Sequence, residues 1–162
     1  MNIEMWEIDR VKPYDKNPRR NDKAVDAVAK SIQTYGWRQP IVVDKDGVII
    51  VGHTRWKAAL KLGLKTVPVH VAADLTPQQA RAYRLADNRT NETAEWDIDL
   101  LPIELGELRE GGTDLKLLGF TDKELAEYLK EFDTGLEEGQ ADAGEAADTI
   151  RCPKCGHEFP LE

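Results

Sequence analysis

The sequence predicts an α+β fold: a small mixed sheet with helices, followed by a helical extension and a short cysteine-containing tail. In roughly the first 90 residues, short β-branched segments typical of strands alternate with segments of helical periodicity. From Trp96 onward only helical periodicity remains, until two cysteines appear near the end. We therefore expect four parts, which are residues 1–95, a helical extension over 96–132, an acidic linker over 133–149 and a tail over 150–162.

Length and composition exclude several classes of protein. The chain has 162 residues, of which 41% are hydrophobic and 32% charged, and its mean hydropathy is −0.53. No apolar run approaches the roughly 18 residues that cross a bilayer, and the N-terminus has no secretory signal pattern. Two cysteines cannot form a disulfide framework. These features exclude a membrane protein and a secreted disulfide scaffold, so we expect a cytoplasmic protein.

The net charge of −8 conceals a segregation of charge along the chain. Residues 1–90 carry 16 Lys and Arg against 10 Asp and Glu, which gives +6. Residues 91–162 carry 6 against 20, which gives −14. A polyanion or a nucleotide should therefore meet the first half of the chain.

The first half contains four predicted strands and three predicted helices. The strands are residues 3–11, 41–43, 48–51 and 66–71, with Asp46-Gly47 as a hairpin turn between the second and third. The first helix covers about 23–35, capped by Asn21 or Asp22 and stopped by Gly36. The second follows Gly52 and ends at Gly63. The third begins with a capping box at Thr76 and runs to about Asn88.

The second half is predicted to hold two helices. Leucines at helical spacing indicate a helix after Trp96 that ends at Gly111-Gly112. A second capping box, Thr121 to Glu124, starts a helix that should run to about Phe132. Residues 131–150 contain seven acidic residues and no Lys or Arg, which predicts a linker.

The turn between the third strand and the second helix is a candidate phosphate site. A helix N-terminus offers unpaired N–H groups to an anion, and Gly52 permits close approach of the backbone. Thr54 supplies a hydroxyl and Arg55 a planar fork of donors, while His53 adds a titratable imidazole. The alternative is a surface turn with a solvated arginine and Trp56 in the core.

Two further polar clusters bear on this site. Arg19 and Arg20 lie on a loop stiffened by proline. At the other cluster, the oxygens of Asp87 and Asn88 suit Mg²⁺ held against phosphates, although the pair could equally cap a helix. Arg89 adds a guanidinium to this second cluster. Arg81 and Arg84 share a helix face with Asn88 and could be either phosphate ligands or a solvated face.

The order of these motifs resembles the N-terminal domain of the ParB family, which has the ParB/sulfiredoxin fold. The resemblance covers about residues 3–94 and rests on Asn17-Pro18-Arg19, Gln39-Pro40-Ile41, Gly52-His53-Thr54-Arg55-Trp56 and Leu85-Ala86-Asp87-Asn88. In the family these motifs bind CTP and Mg²⁺. The resemblance implies that a nucleotide would contact Arg19, Arg20, Gly52, His53, Thr54, Arg55, Asn88 and Arg89, and that Asp87 and Asn88 would face the metal.

Two motifs depart from the ParB pattern. His53-Thr54 stands where ParB proteins have Glu-Arg, and Thr90-Asn91 stands where they have Gln-Arg. The resemblance therefore implies CTP or a related nucleoside triphosphate. In sulfiredoxins, which share this fold, the corresponding turn resembles Gly-Cys-His-Arg. His53 stands in place of their cysteine, so we expect no thiol chemistry.

A second resemblance extends to about residue 131. Up to that point the chain is similar to the ParB-like regions of phage and mobile-element proteins, and many of those regions precede a DNA methyltransferase. We expect neither a methyltransferase nor the helix-turn-helix domain of ParB within this chain.

The tail resembles a zinc knuckle. Cys152 and Cys155 are two residues apart and could chelate Zn²⁺, with His157 as a further ligand. The alternative is a pair of reduced, exposed thiols.

Three functions follow from these patterns. The first is a nucleotide-binding switch that acts on DNA in a phage or mobile element, with DNA or a DNA-modifying protein as partner and a homodimer as assembly. The second is an enzyme on the same fold, an NTPase, a metal-dependent nuclease or a small-molecule kinase, with His53 as general base and Asp87 holding the metal. The third is a non-catalytic adaptor for a DNA methyltransferase.

Overall fold

The computed structural model describes residues 2–142, 149–151 and 158–160. The chain divides into two units, Met1–Asp97 with Asp114–Thr121, and Ile98–Thr113 with Asp122–Glu162. Within the described ranges, every helix is too short or too polar to span a membrane. The zinc ligands predicted at Cys152, Cys155 and His157 lie outside the described residues.

The first unit contains a four-stranded mixed sheet, which confirms the α+β prediction. Its strands are β1 (Glu4–Glu7), β2 (Ile41–Val43), β3 (Ile49–Val51) and β4 (Thr66–Val71), in the order β1-β4-β2-β3. β4 runs antiparallel to β1 and parallel to β2. β2 and β3 form the predicted hairpin. The first strand is shorter than predicted, because the chain turns into a short 3-10 helix over Ile8–Arg10.

Three helices accompany this sheet: α1 (Val25–Tyr35), α2 (His53–Lys61) and α3 (Pro77–Glu92). Gly36 ends α1 with φ +74°, as predicted. The capping box of Thr76 and Gln79 is present at the start of α3, which runs four residues beyond Asn88. The predicted cap on α1 is wrong, because the side chain of Asn21 bonds to α2 instead.

The core of the first unit lies on the sheet. In the central strands Val42 and Val71 are partly buried, whereas Ile41, Val43, Val67 and Val69 are fully buried. They are joined by Trp6 of β1 and by Ala59 of α2. Ala80 of α3 packs with Ile50 of β3 in a second cluster. This packing holds the ends of α2 and α3 next to the β2–β3 hairpin.

The second unit contains two helices, α4 (Leu101–Glu110) and α5 (Asp122–Asp142), which pack on each other. They approach closely at Gly106, where a Cβ would lie 2.5 Å from the ring of Phe132. The expected end of α5 near Phe132 is wrong, since the helix continues through the first ten residues of the predicted linker. Leu, Glu, Gln and Ala in that stretch favour a helix. The number of acidic residues there had instead indicated a linker.

A short antiparallel hairpin, which we did not predict, follows α5. Its strands are β5 (Thr149–Arg151) and β6 (Glu158–Pro160). A 3-10 helix at Leu115–Leu118, between α4 and α5 in sequence, belongs to the first unit and packs on α1.

Candidate functional site

The Gly52 turn connects β3 to α2. Gly52 has φ +105°, a left-handed conformation that L side chains rarely adopt. A Cβ at this position would also lie 3.4 Å from Cα of Ile41, so the turn packs directly on β2. The turn therefore fixes the N-terminus of α2, and its open N–H groups, at the end of the sheet.

An arginine links the proline loop to α3. Arg19 Nη1 donates to Asn88 Oδ1 at 2.9 Å and to the Asn88 carbonyl at 3.2 Å. The Asn88 amide nitrogen in turn donates to the carbonyl of Arg84 at 2.7 Å. Both ends of this amide are therefore engaged, and Asn88 orients Arg19.

A second link joins the same loop to α2. Asn21 Nδ2 donates to Thr54 Oγ1 at 2.9 Å, and Asn21 Oδ1 accepts from Lys57 at 3.1 Å. Because the Thr54 hydroxyl accepts from Asn21, its own proton is directed to another acceptor. The loop over residues 17–21 thus contacts both α2 and α3.

The charge of the Asp87 carboxylate acts on Arg55. Burial lowers the pKa of Arg55, while the nearby Asp87 carboxylate raises it. The Arg55 guanidinium also bonds to Gln39 Oε1. The Asp87 carboxylate has no hydrogen bond or ion pair with any residue in the described part of the chain, so its oxygens are available to a ligand.

A cavity of about 290 Å³ lies next to Arg55. Trp37 and Gln39 line it together with apolar side chains of α1, including Val28 and Ile32. An aromatic ring, apolar side chains and a few polar groups are typical of a pocket for a planar organic ligand.

His53 bonds to the backbone of the loop that precedes Arg19 and Arg20. Its Nε2 accepts a hydrogen bond from the backbone N–H of Tyr14 at 3.2 Å. Burial, together with the positive charges of Arg84 and Lys57, lowers the pKa of His53 to about 4. The ring is therefore neutral at pH 7 with its proton on Nδ1, and the nitrogen lone pair that a general base needs is already used.

Arg84, for which the sequence left open a phosphate ligand or a solvated face, takes a third position inside the fold. It is 6% exposed, so a solvated position is wrong. Its Nε donates to the Ile49 carbonyl at 2.8 Å and its Nη2 lies 3.3 Å from Asp44 Oδ2. Its guanidinium also stacks over Tyr14 at 4.0 Å. The buried Ala80 one turn earlier was the available signal, because residues four apart share a helix face.

Two predicted site residues are not in this set of contacts. Arg20 is exposed, and Arg89 is exposed and pairs with Glu92 at 3.3 Å. The described ranges also contain no group of three His, Cys, Asp or Glu that could hold a metal ion by themselves. A metal at Asp87 would therefore depend on oxygens supplied by its ligand.

Comparison with known families matches both halves of the chain. The model of the ParB N-terminal domain matches residues 1–89. The model of the ParB-methyltransferase HTH domain matches residues 99–154. The expectation that the chain holds no helix-turn-helix domain is therefore wrong.

Individual relatives agree with these matches. The ParB-like nuclease domain-containing protein YnaK of Escherichia coli is 37% identical over 73 residues, which is 44% of this chain and 84% of that protein. A probable chromosome-partitioning protein ParB of Campylobacter jejuni is 35% identical over 106 residues, 62% of this chain and 36% of that protein. The chain thus spans about a third of that partitioning relative.

A solved structure shares the fold. The C-terminally truncated chromosome-partitioning protein ParB of Caulobacter crescentus, complexed with CTP-gamma-S, superposes with a TM-score of 0.65 at 23% identity and covers 89% of each chain. At this identity the likeness shows the fold alone. Together with the family match over residues 1–89, it establishes that the chain belongs to the ParB N-terminal domain family.

Proposed function

We propose that the first unit binds a nucleoside triphosphate, CTP or a related one, and acts as a switch in DNA binding. The observation that carries this proposal is the convergence of three distant segments. Arg19 bonds to Asn88 on α3, Asn21 bonds to Thr54 on α2, and the charge of Asp87 on α3 acts on Arg55 of α2. Cationic and hydroxyl donors thereby surround a helix N-terminus, which is a recurrent arrangement for phosphate.

The phosphates would bind at the Gly52 turn. The N–H groups of α2, the Thr54 hydroxyl and the guanidiniums of Arg19 and Arg55 are the donors. The base would enter the cavity beside Arg55, against Trp37. The ParB structure that shares this fold was solved with a CTP analogue, which supports a nucleotide as the ligand.

Mg²⁺ would bind between Asp87 and the phosphates. Mg²⁺ is typically held by one or two carboxylates together with phosphate oxygens and waters, so a single available carboxylate fits. Asn88 is the less suitable ligand of the predicted pair, because its amide already holds Arg19. We therefore assign Asp87 to the metal and Asn88 to the orientation of Arg19.

The partners follow from the second family match. We propose that residues 99–154 bind DNA as a helix-turn-helix module, that residues 1–95 form the nucleotide module and that the chain acts as a cytoplasmic homodimer. The name of the matched family, ParB-methyltransferase HTH domain, favours a mobile element with a DNA methyltransferase as a further partner. The chain would then direct that enzyme to DNA.

An enzymatic role is the second candidate, because the Escherichia coli relative carries the name of a nuclease domain protein. His53 is a weak candidate for the base, since its pKa is lowered to about 4 and Nε2 is engaged. Nucleotide hydrolysis or DNA cleavage that needs Asp87 would favour this role.

Calorimetric titration with CTP, ATP, GTP and UTP in the presence of Mg²⁺ tests the main proposal. We expect one nucleotide to bind and Arg55→Ala to weaken it by about 10- to 100-fold, since a charge-assisted hydrogen bond contributes about 1.5–3 kcal/mol. Arg81→Ala removes an exposed arginine of α3 and should leave the affinity unchanged. Absence of heat with all four nucleotides would refute the proposal.

We also propose that the tail binds Zn²⁺ through Cys152 and Cys155, with His157 as a further ligand. Zinc content of the purified chain should fall to background in Cys152→Ser, whereas a zinc-free parent chain would exclude the site. The strands β5 and β6, which flank these three residues in the sequence, pair with one another.

A further inference from the structure

We propose that a hollow at the turn of the β2–β3 hairpin binds the phosphodiester backbone of DNA. This hairpin hollow has a volume of about 360 Å³ and is lined by Trp6, Arg10, Lys12, Lys45, Asp46 and Gly47. It is separate from the nucleotide site and does not depend on it. The turn over residues 44–47 lies at one end of the hairpin, and Gly52 lies at the other.

The backbone that carries the cations is fixed. Lys12 N donates to the Gly47 carbonyl at 2.9 Å, and Ile49 N donates to the Lys12 carbonyl at 2.9 Å. Gly47 is buried with φ +80°, and a Cβ there would lie 3.1 Å from the Arg10 carbonyl. The segment over residues 10–12 is therefore bonded to the turn, which limits the ordering that a bound phosphate must impose.

The cations of the hairpin hollow are oriented without being neutralised. The Arg10 guanidinium stacks 3.5 Å from the ring centroid of Trp6, which is 5% exposed. Lys12 Nζ lies 3.2 Å from the Asp46 carbonyl oxygen. Neither group, nor Lys45, makes an ion pair with any described carboxylate.

The charges around the hollow favour an anion. Asp46 is the acidic side chain in the lining, against three cations. Asp44, at the other end of the turn, is paired with Arg84 and so adds little negative potential. By contrast, Lys57 and Lys61 of the same unit are neutralised by Asp22 and Asp26. The fold leaves cations unpaired at the hollow while it pairs them on α2.

The choice of DNA as the anion rests on the proposed function, and the charge of the second half supports it. Residues 99–154 carry 6 Lys and Arg against 15 Asp and Glu, a net charge of −9. Affinity for DNA arises largely from cations that replace condensed counterions, and a module this acidic supplies few of them. The basic first half must therefore provide phosphate contacts, and the hairpin hollow offers three cations on a fixed backbone.

The test is the salt dependence of binding to a fluorescent duplex of arbitrary sequence, measured by anisotropy with the full chain. The hollow variant is Arg10→Gln/Lys12→Gln/Lys45→Gln. The matched control, Lys30→Gln/Lys65→Gln/Arg81→Gln, removes the same charge from exposed positions elsewhere. Each phosphate contact contributes about 0.9 to the slope of log K against log salt. We expect the hollow variant to flatten the slope by about 2 to 3 and to lose at least tenfold in affinity.

The control should keep its slope within about 0.5 of the parent, which is less than one contact. Equal flattening in both triple variants would overturn the proposal, because net charge alone would then be responsible. An unchanged slope in the hollow variant would also overturn it. Lys45→Gln alone disturbs no packing and should flatten the slope by about 1, so a folding defect in the triple variant cannot imitate the result.

Calorimetry with CTP separates the two sites, since loss of nucleotide affinity in Lys45→Gln would contradict a separate hollow.

Discussion

Replacing Arg84 by methionine is expected to lower the free energy of unfolding by about 3 kcal/mol and to abolish nucleotide binding. Methionine fills much of the same space but leaves the Ile49 carbonyl without its donor and Asp44 without its cation. Both groups are poorly solvated, so the loss is larger than that of a surface ion pair. The stacked Tyr14 also loses its support, and with it the backbone N–H that holds His53.

Urea unfolding and CTP calorimetry on the same preparation measure the two effects. Arg81→Met is the matched control, because Arg81 lies on the same helix but is exposed, and it should change neither quantity appreciably. Arg84→Lys restores the charge without the planar fork and should recover part of the stability. Full stability in Arg84→Met would show that this contact network does not hold the site together.

Gly52→Ala is the second change with a large expected effect. With φ at +105°, an alanine strains the backbone by about 2 kcal/mol, and its Cβ would sit 3.4 Å from the Ile41 backbone. The turn can relieve this strain only by moving the first N–H groups of α2, which are the proposed phosphate donors. We expect the nucleotide affinity to fall by at least 30-fold, which corresponds to about 2 kcal/mol.

Gly63→Ala separates strain from site geometry. Gly63 also has a left-handed φ, +68°, but a Cβ there meets nothing within 4 Å. It should lower stability by about 1 kcal/mol and leave nucleotide affinity unchanged. Thermal unfolding and calorimetry compare the two variants directly. Equal effects on affinity would mean that the Gly52 turn carries no phosphate.

Much of the fold could be predicted because it depends on local interactions. The Asp46-Gly47 turn, the Thr76 capping box and the stop at Gly36 all act between residues a few positions apart. The end of α5 could not be predicted in the same way. Its acidic residues suggested a solvated linker, whereas Arg109 pairs with Asp133 across the two helices of that unit.

The residues of the candidate site also differ in whether local sequence or tertiary contacts determine their position. The sequence predicted Arg19, Thr54, Arg55 and Asp87 by residue type and motif. Whether a basic residue faces solvent or the interior depends on its tertiary neighbours, which is why the sequence could not show that Arg84 is buried or that Arg89 pairs with Glu92. The protonation state of His53 likewise depends on burial and on charges contributed by other helices.

By itself the sequence determined the order of strands and helices in the first 95 residues, the glycine turn that opens α2, and the separation of a basic half from an acidic one. Only the tertiary structure decided that Arg19 contacts Asn88, 69 positions away, that Arg84 is buried and that the hairpin cations make no ion pair with a described carboxylate. The physical reason is the distance along the chain over which each kind of interaction acts. Backbone preferences and capping act within a turn or two, whereas burial and electrostatic pairing are set by whichever distant residues the packed sheet brings together.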